Sequence, residues 1–245
     1  MSPGLSSYLA ATFFFFSLCS VAQTTLTVAA AADLTQLQPH LASSFGKIEP
    51  TTAVRFVTGS SALLTQQIEN GAPYDVFLSA NAQFIDRLGS SGKLLPASIH
   101  SYAIGRVAVL WRDGKHHPLS NLTADWVRFA ALPNPQLAPY GAAAQQALEH
   151  AGLWEKVKPK IVYGENVRQA LQLFESGNAD AVLTSASLLV GKNAVLVPAN
   201  LHQPIVQKLG ITSRSQNQKA AQKFVDFLLS PAGQALFSQF GFAKP

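Results

Sequence analysis

The sequence predicts an α/β fold of two lobes, each a mostly parallel sheet flanked by helices, with two hinge crossings. Three observations predict it. Strand-like segments alternate with helix-period segments through short connections, which is the pattern of parallel sheets covered on both faces. The alternation restarts after Tyr102, giving two similar halves. Two amphipathic segments at the C-terminus have no strands of their own, so they pack back on the first half. The chain then crosses between lobes near Tyr102 and again near residues 199–203, and paired crossings beside a cleft make a hinge. The expected division is residues 23–102 with 203–245 in the first lobe and 103–202 in the second.

The N-terminal 22 residues stand apart. An apolar run over residues 9–21, with phenylalanine at 13–16, ends in Ser20-Val21-Ala22. That is a small-x-small site of the kind signal peptidase cuts, so export with cleavage after Ala22 is expected. The run is too short to span a bilayer as a helix. No Lys or Arg precedes it, an unusual start for an export signal. The single cysteine, Cys19, follows Leu18, where a lipid anchor needs a small residue; cleavage therefore removes the only thiol and excludes disulfides.

The first lobe follows in order. Residues 25–31 (TLTVAAA) form a strand, and Asp33 stands as an N-cap before Leu34, Leu37, Leu41 and Phe45 at helical spacing. Residues 52–58 (TAVRFVT) are a second strand, followed by Gly59-Ser60-Ser61 and a helix carrying Leu63, Leu64 and Ile68. Asn70-Gly71 stops that helix. Residues 74–79 (YDVFLS) are a third strand, and Asn81 opens a helix with Phe84, Ile85 and Leu88.

In the second half, residues 105–111 (GRVAVLW) are a buried strand and 127–132 another, before a helix over 142–151. Strands at 160–163 and 179–184 bracket a helix over 165–176, with Val167, Ala170, Leu171 and Phe174 inward. Strands at 194–197 and 205–211 lead out. Helices over 215–229 and 231–240 close the chain.

Of the 245 residues, 48% are hydrophobic and 13% charged, with a formal net charge of +5. This balance supports a large core. The basic residues are scattered, and Lys156, Lys158 and Lys160 lack interleaved aromatics, so nucleic acid is not an expected partner.

Chemistry concentrates at four strand-to-helix junctions: Ala30-Ala31-Ala32-Asp33, Gly59-Ser60-Ser61-Ala62, Pro139-Tyr140-Gly141 and Tyr163-Gly164-Glu165-Asn166-Val167. The first turn of a helix leaves unpaired N–H donors at the positive end of the dipole. One such junction is an ordinary capped helix start. Four, placed in two matched lobes, make an anion site without Lys or Arg. Ser60 or Ser61 adds a hydroxyl, and Tyr140 can add another.

Five stretches carry a specific likeness: GSSALLTQQIENGAPYDVFLSA at 59–80, YAIGRVAVLW at 102–111, NPQLAPYG at 134–141, YGENVRQAL at 163–171 and SPAGQALFSQFGF at 230–242. The chain resembles the periplasmic molybdate-binding proteins of molybdate ABC importers, from about Thr25 to Phe242. The resemblance implies a type II periplasmic binding fold and a tetrahedral oxyanion, molybdate and also tungstate, held between the lobes. It implies ligand contacts at Ala32, Asp33, Ser61, Tyr140 and Val167. Ser61 would give hydroxyl and N–H, Val167 its N–H, and Tyr140 its N–H or, as in some members, its hydroxyl. Ser60 and Thr184 are further positions; some members place a ligand tyrosine where Thr184 stands. The implied partner is a membrane permease, the implied state a monomer, and no cofactor or metal cation is implied.

Asp33 departs from the family, whose members commonly carry Ser or Asn there. An ionised carboxylate cannot donate and repels a dianion. The expectation is that Asp33 caps its own helix and offers only backbone. If its carboxylate lines the cleft, affinity falls or its pKa rises.

Three other classes of protein compete with this one. The fold also permits another oxyanion, such as sulfate or phosphate, or a small organic acid. An enzyme needs a nucleophile with its base, but Thr58-Gly59-Ser60-Ser61-Ala62 lacks the second glycine of G-x-S-x-G. None of His40, His100, His116, His117, His150 and His202 lies in the four junctions. His116-His117 suggests a metal only weakly, since it sits in a polar loop. A regulator's effector domain would need DNA-binding helices, and the chain has an export segment in their place.

Overall fold

A computed structural model describes residues 23–245. The export segment and Cys19 lie outside the described residues. In the first lobe the elements are β1 (Thr24–Ala31), α1 (Gln38–Ile48), β2 (Thr52–Gly59), α2 (Ser61–Glu69), β3 (Val76–Ser79), α3 (Ala82–Ser90) and β4 (His100–Gly105). The second lobe holds β5 (Val107–Trp111), β6 (Ala130–Pro133), α4 (Pro139–His150), α5 (Trp154–Val157), β7 (Ile161–Gly164), α6 (Val167–Glu175), β8 (Ala181–Ser185) and β9 (Val195–Leu196). The chain returns through β10 (Ile205–Ile211) to α7 (Gln218–Leu229) and α8 (Pro231–Gln239).

Each lobe is built on a five-stranded sheet, ordered β2-β1-β3-β10-β4 and β7-β6-β8-β5-β9. β1 pairs parallel with β2 and β3, and β6 with β7 and β8. One strand in each sheet runs against the rest: β10 between β3 and β4, and β5 between β8 and β9. These two strands are the ones that have just crossed from the other lobe. The expected two-lobed α/β architecture with mostly parallel sheets is therefore present.

The crossings themselves differ from the expectation. The sequence predicts a second lobe from residue 103 and one strand over 105–111. In the structure, His100–Gly105 is a strand of the first sheet, paired antiparallel with β10. Arg106 alone separates it from β5. The edge strand was missed because its exposed and buried residues merge into the apolar run that follows. Gly105 pairs with Ile205, so the two crossing segments lie side by side.

Leu34, Leu37, Leu41 and Phe45 are all buried, as their spacing requires. The backbone behind that spacing differs. Ala32–Leu34 is a separate 3-10 turn, and α1 begins only at Gln38, with Pro39 in its first turn. The turn's N-cap is Ala31, and no side chain caps it, so Asp33 is not the expected cap.

Leu26, Val28 and Ala30 of β1 point into one core with α1, α7 and α8, where Phe45, Phe224 and Phe227 pack ring on ring. On the other face of that strand, Ala29 joins Leu64, Phe77, Ile85 and Leu88 under α2 and α3. A sheet with both faces covered needs this alternation to be apolar throughout. The C-terminal helices pack back on the first lobe, as expected.

Candidate functional site

The parallel strands of both sheets aim their C-terminal ends at one interlobe cleft, where ligands of open α/β sheets bind. A small cavity of about 10 Å³ lies there. From the first lobe it is lined by residues that follow β1, β2 and β3: Ala32, Asp33, Ser60, Ser61 and Ala80. From the second come Ala138, Pro139 and Tyr140 at the start of α4, and Asn166 and Val167 at the start of α6. Six of the seven positions singled out in the sequence thus meet at one cavity.

Each helix start presents donors for a local reason. Ser60 is the N-cap of α2, and its Oγ accepts from Leu63 N–H at 3.2 Å. That leaves the N–H groups of the first turn, Ser61 among them, without intrahelical partners. The Ser61 Oγ accepts from Ala80 N–H at 3.1 Å, which fixes the oxygen and leaves the hydroxyl proton to donate. Pro139 opens α4 and has no N–H to lose, and no side chain caps that helix. Tyr140 N–H is then the first donor of α4 to face outward. Asn166 caps α6 by accepting from Arg168 and Gln169 N–H, and Val167 N–H stays uncapped. The surrounding elements carry no basic side chain into the cavity lining.

Thr184 is the exception. It is fully buried, and its Oγ1 donates to the carbonyl of Val167 at 2.9 Å. It steadies the first turn of α6 from behind and does not line the cavity.

Asp33 departs further from expectation. Its side chain is 1% exposed. Tyr140 Oη donates to Asp33 Oδ2 at 2.8 Å, and Gln207 Nε2 donates to the same oxygen at 2.5 Å. Gln207 Nε2 also reaches Tyr140 Oη at 2.9 Å, while its Oε1 accepts from Tyr102 Oη at 2.6 Å. Asp33 Oδ1 has no hydrogen-bond partner. Burial raises the Asp33 pKa from 3.8 to about 6, against the lowering effect of Gln207, Tyr140 and the backbone N–H groups of Asp33 and Leu34. Burial, and then the neighbouring carboxylate, hold both tyrosines well above the ordinary phenol range. They remain protonated donors.

This network joins the lobes. Asp33 and Gln207 belong to the first, Tyr140 to the second. Ser187 Oγ, from the second lobe, donates to the Asp33 carbonyl at 2.6 Å, and Gln36 Nε2 donates to the Leu188 carbonyl at 2.8 Å. Ala31, Ala32 and Ala80 pack into the core of the second lobe. Gly105 is required here, because a Cβ on it would collide with the Tyr140 hydroxyl and crowd Gln207. Sequence reasoning missed Gln207, Tyr102 and Ser187 altogether. Tyr140, expected to offer N–H or hydroxyl, has its hydroxyl committed to Asp33, so the N–H is what remains.

The fold and a small interlobe cavity ringed by helix starts define a protein that holds a small solute between two lobes. Over residues 26–243 the chain matches the family described as bacterial extracellular solute-binding protein, and it belongs to that family. It is a binding protein of the extracytoplasmic side and not an enzyme. It is 32% identical to the molybdate-binding protein ModA of Azotobacter vinelandii, across 91% of this chain and 92% of that one. It is also 32% identical to a putative ABC transporter substrate-binding lipoprotein, YvgL, of Bacillus subtilis, across 89% of this chain and 86% of that one. The solved structure of the Azotobacter vinelandii periplasmic molybdate-binding protein superposes with a TM-score of 0.84 at 33% identity, covering 90% of this chain and 99% of that chain.

Proposed function

We propose that the protein is the molybdate receptor of an ABC importer, with tungstate as a second ligand. The observation that carries this is the convergence of three helix starts and the turn after β1 on one cavity, whose lining has many N–H donors and no basic side chain. A cage of neutral donors suits a fully ionised tetrahedral anion. Ala32, Asp33, Tyr140 and Val167 contribute backbone N–H, and Ser61 contributes hydroxyl and N–H. The protein is exported, cut after Ala22, and acts as a monomer that docks on its permease with the lobes shut over the ligand.

Thermal unfolding of the stripped protein tests this against molybdate, tungstate, sulfate and phosphate. At about a thousandfold over its dissociation constant, a ligand adds roughly 4 kcal/mol and raises the Tm by many degrees. The shift is expected with molybdate and tungstate alone. One observation favours a second reading. The unpartnered Asp33 Oδ1 is an acceptor, and an oxyanion that keeps its own proton, such as hydrogen phosphate, could donate to it. A shift with phosphate alone would support that reading and refute the first.

A further inference from the structure

Asp33 poses a charge problem that the donor cage does not solve. It lines the same cavity as the helix starts. One carboxyl oxygen takes two hydrogen bonds and the other takes none, although the side chain is almost fully buried. Leaving a buried charged oxygen unpartnered is costly. Bringing a dianion beside it costs more.

The groups that face the carboxyl offer no cation. Tyr140 comes from α4, with Ser185 beside it, Tyr102 and Gln207 come from β4 and β10, and Ser187 from the segment after β8. At the start of α6, Asn166 is committed to its own helix, and Arg168 pairs outward with Glu175 at 3.2 Å. With every neighbour neutral, only a proton can cancel the charge.

We propose that Asp33 holds the ligand-bound state as the neutral acid, protonated on Oδ1, so that each oxyanion captured in the cleft takes up one proton from solvent. This rests on the molybdate reading above and adds proton linkage to it. The proton turns Asp33 from an acceptor into a donor of the kind that Ser or Asn supplies at this position. The anion itself is unchanged, and the proton returns to solvent on release. With Asp33 near 6 in the free protein, the carboxyl is mostly ionised at neutral pH, and capture must draw the proton in.

Titration calorimetry decides the point, using the full mature protein and molybdate dilute enough to stay monomeric. Runs at about pH 7.5 in two buffers of different ionisation enthalpy count the protons taken up per anion. The wild type is expected to take up close to one, and Asp33→Asn close to none. From about pH 6.5 to 8, where molybdate stays the same dianion, wild-type affinity should fall about tenfold per pH unit and that of Asp33→Asn should stay flat. Asp33→Ser, tested beside it, should also be flat. Molybdate binding by the wild type without proton uptake overturns the proposal and leaves the molybdate reading standing. So does a variant that keeps the wild-type pH dependence. If wild type and variants alike fail to bind molybdate, the molybdate reading falls and this inference falls with it.

Discussion

Two buried aspartates sit at opposite ends of the same sheet. Asp75 precedes β3, at the end of the strands away from the cleft. Its Oδ2 accepts from Thr27 N–H at 2.8 Å, and its Oδ1 accepts from Ser215 Oγ at 2.6 Å and from Asn217 Nδ2 at 3.3 Å. Both oxygens are satisfied, and the side chain ties β1 to the turn before α7. Asp33 follows β1 at the cleft end, with one oxygen satisfied and one bare. The fold gives the first carboxylate what its charge requires and withholds it from the second. A buried group left half-satisfied marks the place where something else is meant to arrive.

The largest effect expected from breaking this comparison is at Asp75. Truncation in Asp75→Ala strands the Thr27 N–H and the Ser215 hydroxyl, at about 1–3 kcal/mol each. Urea unfolding at neutral pH should show a loss of about 3–5 kcal/mol, with ligand affinity unchanged. A loss below 1 kcal/mol would remove Asp75 from the structural role given it here.

Asp33→Asn should act in the opposite direction. The folded pKa of about 6 lies above the ordinary carboxyl value of 3.8, so the folded protein binds the proton more tightly than the unfolded chain does. Stability is full below the lower value and is lost as pH rises through the upper one. At about 1.4 kcal/mol per unit, ionised Asp33 costs the ligand-free fold about 3 kcal/mol at neutral pH. The variant should therefore be more stable than wild type at neutral pH and about equal to it near pH 4. A variant weaker at both would make Asp33 another Asp75.

Gly105→Ala gives the smallest of the three effects, about 1–3 kcal/mol from overpacking against the Tyr140 hydroxyl and Gln207. It should also loosen the Tyr140 to Asp33 contact, visible as an altered ligand affinity in a protein that still folds.

Much of the site was legible because helix starts have local signatures. Ser60-Ser61, Pro139-Tyr140 and Asn166-Val167 each follow a strand and carry a cap residue or an opening proline. Those signatures mark the helix starts, and the family resemblance singles out Ser61, Tyr140 and Val167 within them. What escaped has no local signature. Gln207 reaches Asp33 across 174 positions, and Tyr102 reaches Gln207 across 105. Nothing in the spacing of these residues announces the contact. Thr184 was misplaced for a related reason: its neighbourhood was right, but its hydroxyl turns to the Val167 carbonyl. The 3-10 turn at Ala32–Leu34 escaped because Leu34 keeps the helical period of Leu37, Leu41 and Phe45.

The exchange of strands between the sheets also bears on the order in which the molecule can be completed. The second sheet draws only on residues 107–196, one unbroken stretch of chain. The first sheet lacks its inner strand β10 until residue 211 has been made, and the helices behind it come later still. During synthesis, therefore, the lobe begun first is the lobe finished last. Until then β3 and β4 have open edges that invite mispairing, and the C-terminal segment acts as the clasp that closes the lobe with which the chain began.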